Sequence, residues 1–156
     1  MVVTKSNIYS ESYTQLKSLI DSNITDPITN STSSTRKWIY TFVPDVKSYG
    51  FKGLPFIVIN PPSTEFNERT FNTEREDNLS FEIEVYSLFK DMSSFEDISN
   101  ELFSLFSTTA NIDTMIGVNM DDLTIEDGGA EDMGDFNNQR VIVRSFTVSF
   151  KVNVSE

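Results

Sequence analysis

The sequence predicts an α+β domain, in which two helices pack on one face of a mixed or mostly antiparallel sheet. Two segments carry apolar residues at helical spacing, at 9–20 and 95–106, and several others alternate or are rich in β-branched residues. Their order is helix, two strands, a long excursion, strand, helix and a final strand pair. A chain of 156 residues is long enough for one substantial core, so residues 1–156 are predicted to form a single domain.

The first helix is amphipathic, with apolar positions at Tyr9, Tyr13, Leu16 and Ile20 after Ser6. Pro27 ends it, because proline cannot continue a helix. A Ser/Thr/Asn-rich run follows. Residues 21–36 are therefore predicted to include either an ordered polar loop or a flexible arm.

Two short strands are predicted next. The stretch "KWIYTFVPD" puts Trp38, Tyr40 and Phe42 on one side of an extended segment that stops at Pro44. The apolar run "GLPFIVIN" is typical of a core strand. Residues 61–78 sustain no period, which predicts a long loop or an extended hairpin.

The remaining elements have clearer patterns. "NLSFEIEVYSLF" alternates, with Phe81, Ile83, Val85 and Phe89 on one face and Ser80, Glu82, Glu84 and Tyr86 on a wet one. The second helix is predicted to begin at a capping box formed by Ser93 and Glu96. The last strand, from 139 to 154, is long and strongly alternating, which predicts a central position.

Composition excludes several functions. The chain has 12 Lys+Arg, 24 Asp+Glu and a formal net charge of −12. Residues 1–60 hold six basic and four acidic residues, whereas residues 61–156 hold six and twenty. Such a field repels nucleic acid and anionic membranes. There is no Cys and no His, which removes thiolate chemistry, disulfides and the commonest general base and metal ligand.

No apolar run approaches the ~20 residues that cross a bilayer. The N-terminus becomes polar too early for a signal peptide, so synthesis in the cytoplasm is expected.

The stretch "DDLTIEDGGAEDMGD", residues 121–135, has seven carboxylates and no basic residue. A calcium loop needs oxygen ligands at its first, third and fifth positions, Gly at the sixth and Glu at the twelfth. Starting at Asp121 puts Leu123 third, and starting at Asp127 puts Gly129 third. Neither register fits, so residues 121–138 are predicted to be an acidic loop or hairpin with no metal.

Catalysis by paired carboxylates is a further possibility. Glu82 and Glu84 share a strand face and could approach Glu96 or Glu101. Alternating polar residues are also what a half-exposed strand requires. No nucleophile, phosphate-binding or dinucleotide motif is present, so the sequence predicts neither an enzyme nor a cofactor.

The excursion at 61–78 also contains Phe66, Arg69, Phe71 and Arg75. Aromatic and arginine side chains are enriched in protein interfaces. The alternative is that the two phenylalanines tuck under their own loop. We treat these four residues as a candidate subunit or partner interface.

The arrangement resembles the tail terminator, or tail-completion, proteins of long-tailed phages and related viruses. The resemblance is carried by an N-terminal helix, "GLPFIVIN", a loop of about seventeen residues, "LSFEIEVYSLFKD", "SSFEDISNELFSLF", an acidic segment and "RVIVRSFTVSFKV". It rests on pattern and order and includes no invariant motif.

The resemblance implies a virion protein that forms a ring, expected to be hexameric, at the head-proximal end of the tail. Such a ring caps the tail tube and joins it to a neck protein, and DNA passes through it without specific binding. The 61–78 excursion is a natural contact for the tube or an adjacent subunit. The segment 21–36 departs from a compact terminator and is a candidate additional arm.

In such a ring an acidic lumen would repel DNA and keep its passage fast. The channel-facing candidates in the acidic stretch are Asp121, Asp122, Glu126, Asp127, Glu131 and Asp132. The face that carries Glu82 and Glu84 is a further candidate. A head-closure or adaptor neck protein is the alternative function. A carboxylate-based hydrolase is a remote one.

Overall fold

A computed structural model describes residues 8–44, 53–67, 75–107, 120–136 and 139–154. These residues form two helices and six strands, and the predicted α+β class is confirmed. The elements are α1 (Ile8–Asn23), β1 (Ile39–Tyr40), β2 (Phe56–Ile59), β3 (Ser63–Asn67), β4 (Arg75–Leu88), α2 (Met92–Ser107), β5 (Met120–Phe136) and β6 (Gln139–Val154).

The sheet is mixed. Its strand order is β1-β2-β4-β6-β5, with β3 also paired to β4. The β1/β2 pair is parallel and the other pairs are antiparallel. Strand β6 lies between β4 and β5, so its predicted inner position is confirmed, whereas β1 and β5 lie at opposite ends of this order.

Strands β2 and β3 pair with successive parts of β4. Ile59 is opposite Ile83 and Ser63 is opposite Ser80, with Pro61 and Pro62 at the break between the two strands. Proline lacks the N–H that a continuous ladder needs. The excursion at 61–78 therefore contains an antiparallel hairpin, and residues 68–74 lie outside the described part of the chain.

The core lies between the sheet and the helices. One face of β4 and β6 is apolar and at most 2% exposed: Leu79, Phe81, Ile83, Val85, Phe146, Val148, Phe150 and Val152. Phe81 and Phe150 stack with their ring centroids 5.7 Å apart. Helix α2 contacts β4 and β5 and also contacts α1. Burying one such side chain contributes about 1.5–3 kcal/mol, so this layer dominates the stability of the fold.

Helix α2 begins one residue after Asp91, and the predicted capping box at Ser93 is wrong. The Asp91 Oδ1 atom accepts a hydrogen bond from the Ser94 N–H at 3.4 Å, and the Asp91 carbonyl accepts one from Phe95 at 3.3 Å. Asp caps a helix as well as Ser does, and the sequence offers both. Ser93 is instead an exposed residue of the first turn.

Two predicted strand faces are also corrected. Strand β1 ends at Tyr40, and Phe42 is 71% exposed beyond it. On β4, Tyr86 is buried on the face predicted to be wet, because its ring stacks on Phe56 at a centroid distance of 4.8 Å. Phe89 lies in the turn after β4 and is 38% exposed.

The polar segment after α1 is an ordered loop, the first of its two predicted alternatives. Asp26 is fully buried and accepts hydrogen bonds from the Ile28 N–H at 3.0 Å, the Ser34 hydroxyl at 2.8 Å and Arg36 at 2.8 Å. Arg36 also donates to the Pro55 carbonyl at 2.8 Å, directly before β2. Burial alone would raise the pKa of Asp26, but these hydrogen bonds outweigh it and lower the pKa.

The described part of the chain contains no helix with the length and hydrophobicity required to span a membrane.

Candidate functional site: the acidic strand and the outer face of the sheet

The acidic stretch at 121–135 lies entirely within β5 and is therefore a strand and not a loop. Strands β5 and β6 pair antiparallel over their length. Three register shifts interrupt the pairing, between Asp121 and Thr124, Asp127 and Ala130, and Asp132 and Gly134. Because each bulge changes which side chains face the core, the strand shows no regular alternation in the sequence.

The first glycine bulge is held by Asp127. Its Oδ1 atom accepts a hydrogen bond from the Gly129 N–H at 2.7 Å, and Gly129 has a φ of 88°, which favours glycine. The Asp127 Oδ2 atom binds the Arg144 guanidinium at 2.9 Å. The carboxylate thus fixes a backbone turn and an arginine from the neighbouring strand.

The second bulge repeats this arrangement five residues later. Asp132 Oδ1 accepts a hydrogen bond from the Gly134 N–H at 2.9 Å, and Gly134 has a φ of 74°. Asp132 Oδ2 accepts two hydrogen bonds from Arg140, the one from Nε at 2.9 Å. The hydrogen bonds from Arg140 and from the Gly134 N–H lower the pKa of Asp132, and the Asp132 carboxylate raises that of Arg140.

These two aspartates lie on the helix side of β5. Asp127 is opposite Phe146 and Asp132 is opposite Ile142, both on the core-facing side of β6. Arg144 also approaches Glu96 of α2 at 3.3 Å and lies 5.4 Å from the centre of the Phe95 ring. The Asp127 charge is therefore balanced by an arginine that contacts α2, and the Asp132 charge by Arg140, which lies over the Phe89 ring.

The opposite side of the sheet, here called the outer face, carries a different set of acidic residues. Glu126 of β5 is opposite Thr147 of β6, which is opposite Glu82 of β4. Directly paired residues point to the same side of a sheet, so this row exposes two carboxylates on either side of a hydroxyl. Glu82 and Glu126 are exposed, and neither has a basic partner among the described residues.

A row of hydroxyls lies beside these carboxylates. Ser80 and Ser149 are opposite one another with their hydroxyl oxygens 2.9 Å apart, and Thr124 is opposite Ser149 from the other side. Lys151 follows two positions later on the same face. The outer face between Ser149 and Ser145 is therefore polar and negative.

Glu84, on the same face, is part of a hydrogen-bonded cluster. Its two carboxylate oxygens accept from the Asn60 amide at 2.6 Å and from the Tyr86 hydroxyl at 2.9 Å. Burial, and then the hydrogen bond to Glu84, raise the pKa of Tyr86. Glu84 is half-buried and binds neighbours that fix β2 against β4.

Of the other candidate channel residues, Glu131 can be assigned to a face of the sheet, and Asp121 and Asp122 cannot. Glu131 is exposed and opposite Val143, which belongs to the outer face. The backbone of Asp121 is opposite Lys151, and Asp122 falls within the first register shift. The side chains of Asp121 and Asp122 lie outside the described atoms.

The candidate interface residues are only partly placed. The backbone of Phe66 is opposite Asp77, and that of Arg75 is opposite Val154. Arg69 and Phe71 lie outside the described residues, as do the side chains of Phe66 and Arg75. The four remain a prediction.

The predicted carboxylate cluster does not assemble. Glu96 contacts Arg144, and Glu101 accepts a hydrogen bond from the Thr25 N–H at 2.7 Å, both on the helix side. Glu82 and Glu84 lie on the outer face. Among the described residues, no three metal-ligating side chains come together in a candidate ion site.

One signal in the sequence was missed. Asp-x-Gly occurs at 127–129 and again at 132–134, and Arg140 and Arg144 stand four residues apart on the strand that follows. Glycine two residues after aspartate is typical of a turn that binds its own backbone. The pattern accounts for Gly129, and Gly128 lies where a Cβ atom would be 3.1 Å from the Ser145 carbonyl oxygen.

No protein-family model and no curated protein matches the chain in comparison searches.

Proposed function

We propose that this chain is a structural virion protein of the tail terminator kind. Copies of it would form a ring that caps the head-proximal end of a tail tube, joins it to the neck and lets DNA pass. The proposal begins from the resemblance in element order and is supported by the outer face of the sheet, where exposed Glu82 and Glu126 have no basic partner among the residues that the structure describes.

The distance between a carboxylate and the DNA decides whether the two repel. Carboxylates repel DNA phosphates only within about one Debye length, roughly 8 Å at physiological ionic strength. Charge on the outside of a ring is therefore screened from DNA in the lumen, whereas charge on the lining acts on every phosphate that passes. We propose that the outer face lines the channel and that Glu82 and Glu126 are its acidic residues.

The contacts of the individual carboxylates narrow the set of proposed channel residues. Asp127 and Asp132 bind Arg144 and Arg140 on the helix side, so we leave both aspartates out of the proposed lining. Glu84 already binds Asn60 and Tyr86, and its role there is to hold strands together.

The test is assembly of the purified chain, alone and with its tail tube protein, followed by electron microscopy. We expect closed rings that sit on one end of the tube and stop its growth. A chain that stays monomeric in both conditions would contradict the proposal. A ring that binds only the capsid side of the neck would favour the adaptor alternative.

The channel is tested by reversing charge on its lining. Glu82→Lys and Glu126→Lys rings should retain short double-stranded DNA at low salt and release it as salt rises, since lysine neutralises phosphates. Asp97→Lys is the matched control, because Asp97 is exposed on α2 and the change in charge is the same. Equal DNA retention by the control would remove the outer face from the channel.

A further inference from the structure

The described residues leave one basic, apolar cleft on this acidic protein. It has a volume of about 420 Å³ and lies between α1 and the segment from Lys37 to Pro44. Lys17 and Lys37 are exposed at its rim, and no carboxylate lines it. A second cavity of about 620 Å³ adjoins it, shares both lysines and is also lined by Arg36 and Asp21.

The floor of this cleft includes exposed apolar side chains. Phe42 is 71% and Val43 is 44% exposed, directly after β1. The Lys37 ammonium lies 5.2 Å from the centre of the Tyr40 ring. Neither lysine has an ion-pair partner in the described part of the chain. Exposed apolar side chains beside unpaired charges are typical of an interaction surface.

The opposite edge of the sheet has the complementary composition. The end of β5 carries Glu131 on the outer face and Asp132 and Asp135 on the helix side, and Met133, which is 51% exposed, lies at the bulge between Asp132 and Gly134. Asp132 is occupied by Arg140, but Glu131 has no partner among the described residues. Met133 is thus an exposed apolar side chain near carboxylates, whereas Phe42 is an exposed apolar side chain near lysines.

We propose that residues 131–135 of one copy dock into the cleft of the next copy. Met133 would contact Phe42 and Val43 as the strand edge enters the cleft, while Glu131 and Asp135, on opposite faces of the strand, would approach Lys17 and Lys37 from either side. The bulges and charges of β5 disfavour pairing through its edge backbone, so the contact is made by side chains. This inference rests on the proposed function, because it supplies the contact that closes the ring.

A second copy fits the cleft better than an unrelated acidic partner because of where the two patches lie. Strands β1 and β5 are at opposite ends of the strand order, so the contact joins two different surfaces and continues from copy to copy. Such a heterologous contact builds rings. A two-fold contact between the β5 ends themselves would bring like charges together and repel.

The absence of cysteine in this sequence makes disulfide trapping a direct test. Phe42→Cys and Met133→Cys variants, mixed under mild oxidation, should form the mixed dimer. A single chain carrying both changes should form a ladder that ends at the ring number. Phe103→Cys mixed with Met133→Cys is the matched control, since Phe103 is exposed on α2. Homodimers of one variant, or equal cross-linking by the control, would overturn the proposal.

Charge reversal separates this inference from the proposed function. Lys17→Glu/Lys37→Glu and Glu131→Lys/Asp135→Lys should each weaken assembly roughly tenfold or more, since like charges then meet. An equal mixture of the two double variants should assemble again, because each cleft then meets an oppositely charged strand. Lys90→Glu, at an exposed site, should assemble as the unmodified chain does.

The outcomes are distinguishable by native mass spectrometry. If the unmodified chain forms rings and both double variants form them equally well, the docking site is overturned and the proposed function stands. If the unmodified chain forms no ring alone or with tube protein, the proposed function fails and this inference fails with it.

Discussion

The loop after α1 and the acidic strand β5 contain the same hydrogen-bonded aspartate–arginine arrangement, but the two differ in solvent exposure. In each, an aspartate accepts a hydrogen bond from the N–H two residues later and binds an arginine: Asp26 with Ile28 and Arg36, Asp127 with Gly129 and Arg144, and Asp132 with Gly134 and Arg140. The Asp26 and Arg36 side chains are 0% and 9% exposed. Those of Asp132 and Arg140 are 39% and 58% exposed.

Burial decides how much each of these aspartate–arginine pairs contributes to stability. In β5 water screens the charges and competes for the hydrogen bonds, so each ion pair adds little to stability. In the loop, losing one partner would leave the other charge buried and unpaired. The stability of the loop after α1 therefore depends on its aspartate, whereas that of β5 depends more on its glycines.

The largest expected effect is at Asp26. Asp26→Asn should lower the free energy of unfolding by about 3–5 kcal/mol, because Arg36 would remain buried without a counter-charge. Urea unfolding followed by circular dichroism measures this. Asp97→Asn, at an exposed site, is the control and should change little. A loss below about 1 kcal/mol at Asp26 would show that water reaches the pair.

The same pair should respond to pH. Because the folded pKa of Asp26 is lowered from 3.8, its stabilisation is present above that value and is lost as pH falls through the folded pKa. The difference in unfolding free energy between the unmodified chain and Asp26→Asn should be constant near neutral pH and shrink in acid below 3.8. A difference that grows on acidification would contradict the assignment.

Next in size is the backbone of the first bulge. A Cβ atom at Gly129 would meet nothing within 4 Å, so Gly129→Ala is penalised only by the positive φ of 88°. We expect a loss of about 1–2 kcal/mol. Gly129→Asn should lose less, because asparagine tolerates this region better. Equal losses for the two variants would point to a different cause.

The smallest expected effect is at Asp127. Asp127→Asn keeps an oxygen that can accept from the Gly129 N–H, and Arg144 keeps Glu96 as a second carboxylate. The free energy of unfolding should fall by no more than about 1 kcal/mol. A loss as large as that of Asp26→Asn, measured in the same urea series, would mean that burial does not separate the two regions.

Much of the fold could be predicted where the pattern is periodic. The positions of α1, α2 and β6 follow from apolar spacing, since a helix face repeats every three to four residues and a strand face every two. That of β2 follows from a continuous apolar run. Strand β5 could not be predicted this way, because its three bulges reset the alternation. The cap of α2 was predicted two residues late, because Asp91 and Ser93 are equally suited to the position.

The candidate site, like the fold, has properties that the sequence predicts and others that it does not. The number of carboxylates and the absence of His and Cys are visible in the sequence, and they restrict the chemistry that is possible. Whether Glu126 or Asp127 faces the outer side is not visible, because adjacent strand residues point to opposite sides and the bulges set the register.

By itself, the sequence determined the α+β class, the helix and strand positions with regular periods, and a negative second half with a near-neutral first half. These follow from local properties, namely side-chain hydrophobicity, spacing and charge. Only the tertiary structure decided which acids meet arginine, which face stays negative, and that the basic cleft and the acidic strand end lie at opposite ends of the strand order. Strand order and register depend on contacts between distant residues, which local pattern does not specify.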